Sequence, residues 1–526
     1  MNFLRKKDFN RIFTLTMLFS SALYFVFICT YTVDQWDLGF IPSMIGRLQE
    51  GQIIYKDFDY VRPFFGLAFW DYLLKFIPVT SEYFILISRF LVVIQTLIIS
   101  VVIQRIMLEK VRFDVTVLFS ILFLNTFPIL PWHTIDGIFF GVLSLYFYKR
   151  KWFLSTLVFL VFTGLVKQSF FIFSAGVFLV ILKDIYKNFK VEKKDLLLFI
   201  TSALFLLLII YQYHIIENAQ IFWKQVFNLS VAGGFYENAI APYLYESKLT
   251  LLLVVCFLIF LYFLKIDKKY LDAALLLIFS LSVIYPFFNN GQYVGIRTLF
   301  LILFVLFLKY DIQNRLVFFL LLLGWSAAIS WAGNNPIFLI FILLFILINR
   351  TQLVLYFLVV SMVSFSVCRL KYTYQSDSIL STPFIFTKNI PSVSGLLISE
   401  NDYEYILEAN SIFSEYKHVI FLPGSPILDV IHGSFVNRAS WQLDVEYPSW
   451  KSDFSKLEKN IFAVDNKQIK IFNEGFYKSS FAVEIVRTRK EIKKTKYFTI
   501  YGPLDEKYDS SVIDDNKNNN TQPIAL

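Results

Sequence analysis

Nearly uninterrupted apolar runs, each close to twenty residues long, recur along this chain from Ile12 to Val367. One such run suits a buried core helix. A series of them does not, because stretches of about 18 or more apolar residues are the length that crosses a bilayer. Composition agrees, with 57% hydrophobic and 17% charged residues, where a soluble domain carries about 25% charge. The expected fold class is a polytopic α-helical membrane protein.

Charge then sets the topology. The 49 Lys and Arg outnumber the 40 Asp and Glu, a balance that can signal nucleic acid. Here the cations stand in short clusters between apolar runs, which is the pattern of topology signals, so nucleic acid is set aside. The clusters lie at 5–11, 105–112, 149–151, 183–194, 265–269, 309–315 and 350. They hold about twenty cations against about eight in the other short loops, which assigns them to the cytoplasmic side. An even number of crossings must separate each pair of clusters. About thirteen spans result, at 12–31, 83–104, 115–130, 134–148, 153–166, 169–182, 196–213, 249–264, 271–288, 296–309, 316–331, 336–349 and 353–368. The first span starts with basic residues like a signal peptide. Its apolar run is too long and lacks a small-x-small cleavage site, so it reads as uncleaved. Cys29, Cys256 and Cys368 fall in apolar segments and suggest neither a disulfide framework nor a metal site.

Residues 1–369 are therefore read as a membrane domain with long outer loops at 31–82 and 214–248. An odd number of spans exports the rest of the chain. Residues 370–507 have ordinary soluble composition and strand-like stretches at 418–427, 461–471 and 481–485, and are expected to form an extracytoplasmic α+β domain. The tail, 508–526, is low in complexity and is expected to be disordered. The implied location is the cytoplasmic (inner) membrane, multi-pass.

Parity has a further consequence. The clusters at 149–151 and 183–194 share a side, yet about thirty apolar residues separate them. Two crossings of about fifteen residues reach about 22 Å, short of a 30 Å hydrocarbon core. Their tip, "GLVKQS" (164–169), then sits below the outer surface. The neighbouring pair of spans is also short, with "PWHTID" (131–136) at its tip. Irregular backbone at that depth needs protein or an aqueous cavity around it, so an outward-facing cavity is expected.

The candidate chemistry gathers there. After the first span comes "DQWDLGFIPSMIGRLQEGQIIYKDFDYVRP", residues 34–63. Leu38, Ile41, Met44, Ile45 and Leu48 recur at helical spacing, which predicts an amphipathic helix able to lie on the membrane surface. Asp37 precedes it, as a helix N-cap or as a general base. Asp57, Asp59 and Arg62 form either a solvated loop with a local ion pair or a site for phosphate or a divalent metal, magnesium or manganese. His133 and Asp136 lie on the 131–136 tip, where helix capping is the alternative. Lys167 is a cation at the end of a span, placed there to snorkel or to meet an anionic partner. Lys224 and Arg297 are weaker cases of the same kind, and Arg89, near the outer end of the second span, is expected to face the cavity. Carboxylates, a histidine and cations at headgroup depth suit a substrate with a lipid tail, a phosphate and a sugar.

The strip resembles the first outer loop of the GT-C membrane glycosyltransferases, nearest to the bacterial branch of protein mannosyltransferases and the aminoarabinose transferase of lipid A. The shared pattern is an acid, a glycine two residues on, a short helix, Gly-x-x-x-Tyr-x-Asp-Phe and a proline. Here these are Asp37, Gly39, Gly51, Tyr55, Asp57, Phe58 and Pro63. Gly164 and Lys167 are similar to the family's Gly-x-x-Lys segment, and Asp136 fits an acid that opens the fourth span. "HVIFLPGSPILDVIHG" (418–433) is similar to a segment of the outer domain in many members. The resemblance implies transfer of a sugar from a polyprenyl-phosphate donor to an extracytoplasmic glycan, lipid or protein acceptor, with inversion. Asp37 would be the base and Asp136 a second catalytic acid, with Asp57, Asp59, Arg62, His133, Lys167, Lys224 and Arg297 around the substrate. Many members carry a second acid directly after the first; here that position is Leu38, which leaves Asp34 as a rival base. A surface-polysaccharide polymerase or ligase, and a non-catalytic transporter or scaffold, are the other classes to weigh.

Overall fold

The computed structural model describes residues 6–34, 37–107, 111–126, 129–188, 191–227, 315–329, 363–364, 366–372, 377–416, 419–422, 425–435, 460–467 and 485–503. It divides into two compact units. The first holds residues 1–406 with 426–435, and the second holds 407–425 with 436–526. Composition suggests a division at 370. Packing draws it elsewhere, because 377–406 and 426–435 bury their apolar side chains within the first unit.

The first unit is helical. Its elements are α1 (Lys6–Thr30), α2 (Phe40–Gln49), α3 (Phe65–Leu74), α4 (Phe84–Met107), α5 (Phe113–Thr126), α6 (His133–Lys149), α7 (Phe153–Val166), α8 (Phe171–Asn188), α9 (Lys193–Gln212), α10 (Ala219–Phe227) and α11 (Arg315–Ala328). A short 3-10 turn, Gln168–Phe170, joins α7 to α8. Among the described residues, three helical stretches are long and apolar enough to cross a membrane: Phe84–Met107, Gln168–Lys187 and Lys193–Gln212. α1, α5, α6, α7 and α11 also stand on expected spans. The expected spans 249–264, 271–288, 296–309 and 336–349, and most of 353–368, lie outside the described residues, as does the tail 508–526.

The helices run as antiparallel neighbours, so the bundle has two distinct ends. At one end Lys149 Nζ donates to the carbonyls of Arg105 (2.8 Å) and Ile106 (2.7 Å). There too Tyr148 donates to Asp184 at 2.6 Å, and Arg315 pairs with the same carboxylate at 3.2 Å. Asp195 sits with them, accepting from Ser155 N at 2.8 Å and so satisfying the open first turn of α7. The described residues of the basic clusters at 105–112, 149–151 and 183–194, with Arg315, thus share an end. That arrangement requires the chain to go out and back between 149 and 183, as parity requires. The two passes are unequal. α7 has 14 residues, about 21 Å of helix, but the return through Gln168–Lys187 has 20 and is not short.

The opposite end is built from the connections. Arg89 does not face a cavity. Its guanidinium donates to the carbonyls of Cys29 (3.0 Å), Tyr31 (3.2 Å) and Thr32 (2.8 Å), closing the C-terminal end of α1, whose last carbonyls have no partner within the helix. Thr32 N then donates to Leu397 O at 2.7 Å, on the edge of an antiparallel pair, β1 (Phe384–Phe386) and β2 (Leu397–Ser399). The helix expected to lie on the membrane surface does form, as α2, but Phe40 to Arg47 are all buried. It is covered by a second helix, Pro426–His432, and by Phe435. Elsewhere in this end, Phe65 of α3 stacks on Phe162 of α7 (4.3 Å between centroids) and meets Phe140 of α6 edge-on (5.2 Å). Buried aromatic contacts of this kind fix α3 against the bundle.

The second unit holds a four-stranded sheet in the order β3 (Ile420–Leu422), β4 (Phe462–Asp465), β6 (Phe498–Tyr501), β5 (Glu491–Lys494). β3 and β4 are parallel and the other pairs antiparallel. β4 and β6 are buried throughout, whereas β5 is an exposed edge rich in lysine, a composition that discourages edge-to-edge pairing. A helix, α12 (Glu400–Glu415), carries the chain from the first unit into the second. Within the second unit its Glu408 accepts from Tyr497 N (2.8 Å) and Glu415 pairs with Lys493 (2.7 Å). The helix Pro426–His432, α13, belongs to the first unit.

Candidate functional site

Asp37 stands in a turn immediately before α2. It is not the helix N-cap: Gly39 holds that position, and no side chain caps the helix there. The turn is fixed from behind, since Asp37 N donates to Asp34 Oδ2 at 3.0 Å and Phe40 N donates to Asp37 O at 3.2 Å. Asp34 therefore spends a carboxylate oxygen on orienting Asp37. Both residues are buried. The two aspartates that compete for one role in the sequence thus have different positions in the fold: one holds the turn, and the other is presented by it.

Much of the strip's motif turns out to be scaffold. Gly51 has φ +81°, and it ends α2 in a Schellman turn: Gln52 N donates to Arg47 O (2.9 Å) and Gly51 N to Leu48 O (3.0 Å). Tyr55 has φ +68°, a left-handed backbone that a bulky residue seldom adopts. Its buried ring packs on Tyr60 and Phe222, and its hydroxyl donates to Arg62 O at 2.7 Å. Asp57 is exposed and binds its own loop, accepting from Ile53 N at 2.7 Å. Asp59 is buried and accepts from Gln225 Nε2 at 2.7 Å, while Gln225 Oε1 accepts from Tyr60 N at 2.9 Å. Asp57 and Asp59 thus send their carboxylates to separate partners. Among the described residues no three His, Cys, Asp or Glu side chains gather as a metal would require.

The loop delivers Tyr60 and Arg62 to the tips of α6 and α7. Tyr60 is buried, and burial holds its hydroxyl well above the ordinary tyrosine range against the opposing pull of Arg62. It therefore stays protonated and shares a hydrogen bond with His133 Nε2 at 2.6 Å, the His133 tautomer setting which of the two donates. The other ring nitrogen, Nδ1, is buried without a hydrogen-bond partner among the described residues, 3.7 Å from Asp136 Oδ2. Asp136 is fully enclosed. Its carboxylate accepts from Trp70 Nε1 (3.0 and 3.1 Å) and Gln95 Nε2 (2.8 Å), tying α6 to α3 and α4. Such a carboxylate ties helices together. The phenyl ring of Phe40, three residues after Asp37, lies 6.2 Å from Tyr60 and 6.0 Å from His133 between centroids. The Asp37 turn thus borders the same cluster.

Lys167 is the residue between α7 and the 3-10 turn, with extended backbone. It is 3% exposed, so it does not snorkel to water. Its Nζ donates to Thr134 Oγ1 at 2.6 Å, and among the described residues no carboxylate pairs with it. Arg62, half-buried, acts electrostatically on both Lys167 and His133. It donates to Gln168 Oε1 at 3.4 Å, and Gln168 Nε2 donates to Val61 O (2.5 Å) and Val226 O (2.9 Å). Gln168 and Gln225 are thus what binds the strip to α7, α8 and α10. Sequence reasoning misses both, and Tyr60, although Gln168 adjoins Lys167 in the "GLVKQS" segment. Lys224 is exposed on α10, and Arg297 lies outside the described residues.

The arrangement offers a carboxylate in a fixed turn at Asp37, a buried lysine at Lys167 that feels the charge of Arg62, and aromatic neighbours at Phe40 and Tyr60. No protein-family profile, characterised protein or solved structure matches the chain.

Proposed function

We propose that this is a membrane glycosyltransferase of the GT-C type, which moves a sugar from a polyprenyl-phosphate donor to an exported glycan, lipid or protein. Lys167 carries the reading. A buried lysine with one hydrogen bond and no carboxylate partner among the described residues, under the charge of Arg62, is costly to keep charged unless an anion completes it. A lipid-linked phosphate has the right charge and reaches this depth from the membrane.

In the reaction, Asp37 accepts the proton of an acceptor hydroxyl as that oxygen attacks the anomeric carbon from the face opposite the phosphate. The bond from carbon to phosphate oxygen breaks, and the sugar's configuration inverts. The electron pair leaves with the polyprenyl phosphate, whose growing charge Lys167 and Arg62 stabilise. Tyr60 and His133 shape the wall between base and cations, and Asp136 holds that wall. The end of the bundle with the basic clusters faces the cytoplasm by the charge rule, so this site faces outward.

Lipid analysis of cells lacking the protein tests the reading. One sugar-loaded polyprenyl phosphate should accumulate while one exported glycan loses that sugar. Unchanged lipid-linked sugars and unchanged glycans would overturn it. A polymerase would instead leave the glycan's repeating unit intact and shorten the chain.

A further inference from the structure

Residues 426–435 interrupt the second unit in sequence yet fold with the first. They lie directly on α2. A Cβ at Gly39 would stand 2.1 Å from Ile427 N and 2.3 Å from Pro426 C, so main chain meets main chain there and no side chain fits. Two turns further along α2, a Cβ at Gly46 would stand 2.1 Å from the ring of Phe435. Arg47, 1% exposed, donates from Nη1 to Phe435 O at 3.0 Å and to Gln52 Oε1 at 3.2 Å. Its guanidinium also lies 5.7 Å from the centroid of Phe58. From the other side, Ser392 Oγ lies 2.6 Å from Val79 O and 3.3 Å from Val430 O, anchoring the segment to the connection that leads into α4.

We propose that residues 426–435 are a positioning clamp for Asp37. The proposal rests on the reading of Asp37 as the base. Downstream, Asp37 is attached to the first turn of α2. That helix is held on this side by Gly39 against Pro426 and Ile427, and by Gly46 and Arg47 against Phe435. A tilt of α2 moves the base relative to a donor held separately by Lys167 and Arg62. Gly39, Gly46 and Phe435 are therefore positioning residues. This gives a physical reason for a glycine two residues after the acid: any side chain there would push α13 away.

The test compares Gly46→Ala, Phe435→Leu and the double variant in the purified full chain, with lipid-linked sugar as substrate. Gly46→Ala forces the Phe435 ring and α2 apart. It should lower kcat by about 10-fold or more, since misplacement near 1 Å costs on the order of 10²-fold. KM for the lipid donor should stay within about twofold, because the donor's cations are untouched. Phe435→Leu makes room, so the double variant should recover most of kcat. If Gly46→Ala does not fold, Phe435→Leu alone must show the same split, through the cavity it leaves. Parental kcat in Gly46→Ala, equal losses in kcat and affinity, or no recovery in the double variant would overturn the clamp. Each of these can occur while Asp37→Asn is inactive; an active Asp37→Asn would instead strike the base reading itself.

Discussion

Replacing Lys167 by methionine separates a structural lysine from one kept for a ligand. An inserted cation costs about 2.5–3.5 kcal/mol on insertion scales. Against that, the 2.6 Å bond to Thr134 returns about 1.5–3 kcal/mol, the range for hydrogen bonds to charged groups. Methionine keeps most of the side-chain volume and removes the charge. Lys167→Met should therefore leave stability unchanged or raise it by up to about 2 kcal/mol. Turnover should behave differently. Removing one preorganised donor to developing charge costs about 10²–10³-fold, and the departing phosphate would face Arg62 alone. Thermal unfolding in detergent reads the first quantity, and sugar transfer from a lipid-linked donor reads the second. Full turnover in Lys167→Met would refute the phosphate role. A clear loss of stability would show that the lysine serves the fold, and its buried charge would no longer point to an anionic ligand.

Two further outcomes test the surrounding structure. Burial pushes Asp429 up to about 7, with Arg47 pulling the other way; the neutral carboxyl is the form the fold favours, so its contribution is complete below about pH 4 and is lost as pH rises through 7. Asp429→Asn should match the parent's unfolding temperature near pH 4 and exceed it at pH 8; the reverse trend would contradict the burial. Asp195→Ala should lower stability by about 1–2 kcal/mol in a denaturant or thermal titration, the usual worth of a lost cap, and no loss would mean that its bonds to Leu154 N and Ser155 N are not holding α7.

Apolar run length and cation placement are enough to expect a helical membrane chain, and they locate α1, α4 to α9 and α11 with ends up to six residues off. They also put Lys149 and Lys183–Lys194 at one end, because charge rules act locally on each turn of the chain. What sequence does not show is where the connections go. The amphipathic pattern of residues 38–48 is the same for a helix lying on a membrane and for one lying under another helix. Nothing in periodicity predicts that Pro426–His432, far along the chain, supplies the cover. Asp37 reads as a cap because Asp before an apolar run usually is one, yet the turn needs Gly39 at the cap to admit α13. Asp57 and Asp59 read as a pair by spacing. One is tied to its own loop and the other to Gln225, a partner that only tertiary structure brings near. Tyr60 escapes notice because one tyrosine among 30 carries no signal until His133 is placed against it.

The proposed reaction stands or falls on Asp37 removing the acceptor's proton while Asp34 only orients it. Single-turnover sugar transfer by Asp37→Asn and Asp34→Asn, with lipid-linked donor bound in advance, separates the two roles. Asp37 does not cap α2, so its asparagine variant should fold and bind donor like the parent. It should transfer roughly 10²-fold more slowly or worse, because an amide cannot accept the proton. The amide introduced by Asp34→Asn keeps an oxygen for the Asp37 N–H, so that variant should retain most of the rate. Near-parental transfer by Asp37→Asn would show that Asp37 is not the base.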